Sequence, residues 1–176
     1  KAFLASTGAE ELTKMEQELQ KEAPADFDLK QYRQSLENRL ESQKIGPVME
    51  SYVEAVGERG DAAKAAELAK KVEALELKSP TLLNEIAWFI LTDDAVKQRD
   101  VKLALTLAKR AVDASEGKEA GIIDTYARAL FDAGKVAEAV AEQQKALALA
   151  TDEDTKHELA STLKRYQAKL NPEPGL

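Results

Sequence analysis

The chain has 176 residues, the size of one ordinary domain, with 25 Lys and Arg against 32 Asp and Glu. The resulting net charge of −7 argues against nucleic acid as a partner, because phosphate binding is driven by counterion release onto a basic surface. With no cysteine and a single histidine, disulfides, thiolate nucleophiles, cysteine-based zinc sites and histidine-rich metal centres are excluded, so no cofactor, no metal and no catalysis are expected.

Lys1-Ala-Phe-Leu-Ala-Ser-Thr is neither an initiator methionine nor long and apolar enough for a signal peptide, so the chain reads as an excised or processed piece. Its longest apolar run, Ile86-Ala-Trp-Phe-Ile-Leu91, has six residues where a membrane span needs about 20, and no span is expected. Prolines and glycines fall between helix-like segments and alternating β-branched runs are absent, which predicts an all-α fold.

Residues 1–44 read as a helical hairpin. Thr7 with Glu10 three residues on can cap a first helix carrying Leu12, Met15 and Leu19, which Pro24 ends. A second helix starts near Asp28, with Leu29, Tyr32, Leu36 and Leu40 on one face.

From Ile45 the texture changes to alanine-rich helices in pairs. In residues 124–149 a helix with Tyr126, Ala127 and Leu130 runs into Gly134, and a second places Val136, Ala139, Ala146 and Leu149. Small residues at Ala127, Ala139 and Ala146 allow close helix approach, and Gly134 allows the sharp turn. The same pattern occurs upstream, with Leu83, Ile86, Ala87 and Ile90, then Val101, Ala104, Ala108 and Ala111. Ala104 and Ala139 lie 35 residues apart, as do Ala111 and Ala146, whereas the first helices are 40 apart. The upstream copy therefore carries about five extra residues in its turn, near residues 92–99, where an insertion should leave the packing faces intact. A further copy has Tyr52, Val53 and Val56, then Gly60, then Ala62, Ala65, Ala69 and Val72, and Ser79-Pro80 opens the helix after it. Past Leu149 a single closing helix is expected over residues 151–170, capped near Thr151-Asp152, with Leu159, Leu163, Tyr166 and Leu170 as its apolar stripe, followed by a flexible tail at residues 171–176.

These helix pairs resemble the tetratricopeptide repeat family, most clearly over residues 122–149, then 81–114, then 45–77. The resemblance implies a right-handed helical solenoid of three pairs plus the closing helix over residues 45–170. Two departures are the long turn before Asp100 and Gln143, where the family often has an aromatic residue. More narrowly, Leu83-Asn-Glu-Ile-Ala-Trp88, Arg99-Asp-Val-Lys-Leu-Ala-Leu105 and residues 124–135 look like repeat regions appended to thioredoxin-like domains of bacterial cell-envelope proteins. That likeness implies an upstream fused redox domain and an envelope or periplasmic setting, which the absence of cysteine suits.

In such arrays the first helix of each pair lines a concave groove, which nominates Glu50, Glu54, Asn84, Trp88, Asp124, Arg128 and Phe131 as peptide contacts. The expected function is a non-catalytic protein-protein interaction scaffold binding a protein or peptide segment of basic character. The alternative is a structural or regulatory appendage of a thioredoxin-like protein, mediating self-association. Trp88 and Phe131 could equally be packing residues between helices. The lysine and asparagine pattern that grips a terminal carboxylate is absent, since Glu50, Asn84 and Asp124 hold the matching places. His157 reads as a lone exposed histidine, and Asp152-Glu-Asp154 as helix capping, since it lacks the glycine and distal glutamate of a calcium loop. Ser161-Thr-Leu-Lys164 matches an acyl-enzyme pattern without its companion motifs.

Overall fold

The computed structural model describes residues 14, 17, 28–57 and 60–171, and every regular element among them is an α-helix. Of the expected first helix, from Thr7 to Pro24, only Lys14 and Gln17 are described, both helical; the rest of it and residues 172–176 of the expected tail lie outside the described residues. In chain order the helices are α1 (Leu29–Val56), α2 (Ala62–Ala74), α3 (Pro80–Thr92), α4 (Val101–Ala114), α5 (Ala120–Asp132), α6 (Val136–Leu149) and α7 (Glu153–Leu170). They pack in sequential antiparallel pairs, and no strand occurs among the described residues.

Two compact units are present, Lys1–Lys44 and Ile45–Leu176. In the first, α1 opens with the carboxylate of Asp28 accepting from the Gln31 amide at 3.0 Å, and Arg33 pairs with Glu37 one turn on at 3.1 Å. The expected separate helices on either side of residue 45 are one continuous helix, with Pro47 inside it. Pro47 has no N–H to give the carbonyl of Gln43, so the helix loses a backbone bond there without breaking.

In the second unit the helix starts are set by local chemistry. Asp61 caps α2 through the Ala63 and Lys64 amides, both at 3.0 Å. Ser79 caps α3 through Leu82 with Pro80 at its first position, and Asp100 caps α4 through Leu103 at 2.9 Å. Each cap satisfies amides that the first turn leaves without a carbonyl. Behind these starts the apolar stripes meet in one core. Leu83, Ile86, Ala87, Ile90 and Leu91 of α3 pack with Leu103, Ala104, Leu107, Ala108 and Ala111 of α4, all buried. Ala127, Ala139 and Ala146 are fully buried, and these small side chains let α5, α6 and α7 come together closely. The α5 to α6 turn passes through Gly134 at φ +78°, a conformation that costs an L side chain roughly 1–2 kcal/mol. Not every stripe residue is covered: Leu149 and Leu170 remain exposed at the ends of α6 and α7.

The extra residues between α3 and α4 do more than lengthen a turn. Val96 enters the core at 2% exposure, and the Lys97 and Gln98 amides donate to the last carbonyl of α1, Val56 O, at 3.0 and 3.2 Å. Arg99 donates back to Ile90 O at 3.0 Å. The loop thus reaches the end of the first pair. Gly60 is needed for this approach, since a Cβ there would lie 2.6 Å from Ala55 O and 3.2 Å from the Gln98 side-chain nitrogen.

Arg110 of α4 makes the other long-range tie. Its guanidinium donates to Glu73 O at 3.3 Å, Leu75 O at 2.9 Å and Leu77 O at 3.1 Å, closing the carbonyl end of α2.

Candidate functional site

The outward side of α3 is defined by what its inward side buries. With Leu83, Ile86, Ala87, Ile90 and Leu91 in the core, Thr81, Glu85 and Trp88 fall on the opposite stripe and are exposed. Trp88 is 43% exposed, the largest exposed apolar side chain among the described residues, and one turn beyond it Thr92 donates its hydroxyl to Trp88 O at 2.8 Å. Asn84, one turn before Trp88, is half-buried, and its carbonyl oxygen is enclosed without a hydrogen-bond donor. Trp88 is therefore partly open to solvent and not enclosed in the core.

Glu50 and Glu54 lie one turn apart on α1, exposed, and neither forms an ion pair among the described residues. Tyr52 and Val56 beside them face inward and are buried.

The three candidates on α5 are placed differently. Phe131 stacks on Tyr166 of α7, centroids 4.3 Å apart and planes within 18°, with the Arg165 guanidinium 6.0 Å from the Phe131 ring and 5.3 Å from Tyr166. Phe131 is thus a packing residue between α5 and α7. Asp124 accepts from the Gln143 side-chain amide at 2.7 Å, and the same amide reaches Leu159 O of α7 at 3.3 Å. Burial pushes the Asp124 carboxyl above its ordinary value, against the opposing pull of the Gln143 hydrogen bond and the Arg128 and Arg165 charges. Arg128 pairs with Asp132 at 2.8 Å, both partly shielded. The closing helix therefore occupies the surface that Asp124 and Phe131 would have offered. The structure brings Asp124 and Phe131 together with α7 and leaves Glu50, Glu54, Asn84 and Trp88 outside that cluster.

No family model, curated protein or solved structure matches the chain. What it does is read from its own side chains.

Among the described residues no group of histidine, cysteine or acidic side chains is arranged to hold a metal ion, and no helix is long and apolar enough to cross a membrane. His157 is exposed on α7. Asp152 is a helix cap: its carboxylate accepts the Thr155 amide at 2.8 Å, and the backbone and hydroxyl hydrogens of Thr155 hold the carboxyl below its ordinary value. Ser161 and Lys164 are exposed neighbours with no hydrogen bond between them.

Sequence reasoning missed two features. One is a shallow pocket of about 230 Å³ between the end of α1, the start of α2 and the inserted loop, lined by Tyr52, Val56, Ala62, Ala65, Ala66 and residues 98–100. The Tyr52 hydroxyl beside it is buried with no partner, and burial, reinforced by the Asp100 carboxylate, pushes it up to about 12. Nothing local in the sequence marks it, because it exists only where the loop meets the first pair. The other feature is Glu85, whose place three residues before Trp88 and opposite the Leu83, Ile86 and Ile90 stripe was readable from helical spacing.

Charge also separates by helix type. Residues 45–56 of α1 together with α3 and α5 carry five carboxylates (Glu50, Glu54, Glu85, Asp124 and Asp132) against one cation, Arg128. Helices α2, α4 and α6 carry seven cations against five carboxylates. The first helices of the pairs are thus acidic, at −4, and the second are basic, at +2.

Proposed function

We propose that this chain is a non-catalytic interaction module: a tetratricopeptide-like array of helix pairs that takes a segment of a partner protein on the exposed side of its first helices. The observation that carries the reading is Trp88. A 43% exposed tryptophan in the middle of a well-packed helix gains nothing for the fold by its outward placement, and tryptophan is among the residues that most often anchor a protein interface. Sequential antiparallel pairing of α3 with α4 and α5 with α6, the alanine-lined contacts and the glycine turn at Gly134 support the repeat assignment. Closure of the third pair by α7 fits an array whose last packing face must be covered.

The test is selection of displayed random peptides on the immobilised chain, followed by Trp88→Ala. An exposed position predicts that this variant keeps its helical circular dichroism and unfolds within about 0.5 kcal/mol of the parent. It also predicts that the selected peptides lose their affinity for it. Peptides that bind Trp88→Ala as well as they bind the parent would overturn the assignment, as would a variant that no longer folds.

A further inference from the structure

We infer that the segment docking on this surface is basic, presenting lysine or arginine to the carboxylates of the first helices and laying a long alkyl or cationic side chain over the Trp88 indole. The inference rests on the interaction-module reading and adds the chemistry of the partner.

Charge complementarity carries it. On α3 the only charged residue is Glu85, three residues from Trp88 on the same exposed stripe, and on residues 45–56 of α1 the only charges are Glu50 and Glu54. None of these three carboxylates is engaged in an ion pair among the described residues. Elsewhere the surface is treated differently. Glu67 pairs with Lys71 on α2, Lys109 with Asp113 on α4, Lys145 with Glu142 on α6 and Lys156 with Glu153 on α7. These four carboxylates of the second helices and of α7 have cations one turn away, whereas Glu50, Glu54 and Glu85 have none. Unneutralised carboxylates on the exposed sides of the first helices, one of them a turn away from the Trp88 ring, draw an oppositely charged partner and suppress acidic ones. An indole face with a carboxylate one turn away favours a lysine or arginine side chain, since the ring attracts the cation and the carboxylate pairs with it. The two α5 carboxylates do not contribute, because Asp124 is taken by Gln143 and Asp132 by Arg128.

The experiment uses the single tryptophan of the chain as reporter. Three blocked peptides that alternate leucine with lysine, glutamine or glutamate are titrated against the parent, the variant Glu50→Gln/Glu54→Gln/Glu85→Gln, and a control variant Glu67→Gln/Glu138→Gln/Glu142→Gln. The expected result is that the lysine peptide shifts Trp88 emission with a salt-sensitive affinity. The first-helix variant should weaken it about fivefold to tenfold, while the control leaves it unchanged. Equal binding of the lysine and glutamine peptides, with no effect of the first-helix variant, overturns the basic partner and leaves the interaction module standing. Equal weakening by both triple variants overturns it as well, because net charge and not this surface would then be responsible. If none of the three peptides moves Trp88 emission, both the inference and the docking surface it rests on are overturned.

Discussion

Replacing Tyr52 with phenylalanine removes one oxygen atom from the interior and leaves the ring that packs between α1 and the core. The hydroxyl is buried without a partner, a state that costs roughly 1–3 kcal/mol, so at neutral pH Tyr52→Phe is expected to be more stable than the parent by about 1 kcal/mol. The larger effect comes with alkali. In the unfolded chain the phenol ionises near 10, while in the fold burial and the Asp100 carboxylate raise it to about 12. Below pH 10 both states hold the proton and Tyr52 contributes no pH dependence. As the pH rises from there to about 12 the unfolded state ionises first and the fold loses stability. Two pH units correspond to about 2.7 kcal/mol of loss, at about 1.36 kcal/mol per unit. Tyr126 and Tyr166, also raised by burial, titrate in both proteins and cancel in the difference. Urea unfolding of the two proteins at a series of pH values should therefore give curves that run parallel up to pH 10 and diverge above it, the parent falling away. Curves that stay parallel through pH 12, or a phenylalanine variant that is less stable at neutrality, would refute the reasoning, since either would mean that the hydroxyl has a partner or ready access to water.

Two further substitutions test the ties between helices. Arg110→Ala strips three carbonyl contacts from the end of α2 and should cost about 2–3 kcal/mol in urea unfolding, with Arg110→Lys recovering only part because an ammonium cannot fork across Glu73, Leu75 and Leu77. Asp124 has its folded carboxyl pushed up by burial, so the stability linked to its protonation is present at acid pH and is lost as the pH rises through the folded value. Asp124→Asn still accepts from Gln143 and cannot ionise; it should gain stability over the parent at neutral pH and lose that advantage in acid, as measured by urea midpoints across the two conditions.

The parts of the fold that were legible in the sequence are those whose cause is local. Ser79 with Pro80, and Asp152, cap the helices they precede because the amides they satisfy lie three residues on. The alanines at 127, 139 and 146 are buried because helical spacing alone puts them on the inner face. At the candidate site, Trp88, Glu50 and Glu54 could be placed on outward faces by the same spacing. What was not legible depends on which distant segment arrives. Phe131 had the spacing of a groove residue, but Tyr166 from α7 stacks on it, and no periodicity in α5 announces that partner. Gln143 stood out as a departure from the repeat pattern that the helix pairs resemble, yet its role in tying Asp124 to the backbone of α7 needs three helices to be in place at once. Residues 29–56 read as two helices because the texture changes to alanine-rich pairs at Ile45, whereas the backbone continues as one helix, the single bond missing at Pro47 being too small a loss to end it.

The inserted loop bears on the order in which the molecule can assemble. In an array whose units touch only their neighbours through helix faces, the first unit can settle as soon as its own two helices exist. Here the terminal carbonyl of α1 finds its amides at Lys97 and Gln98, and Val96 fills space in the same core. A chain growing from its first residue has α1 and α2 in hand well before those amides are made. The first pair therefore waits for the whole of α3, and a fragment cut after residue 92 would retain every residue of that pair while lacking the piece that finishes it. What looks from the spacing like slack between α3 and α4 is the latest-arriving part of the helix pair before them.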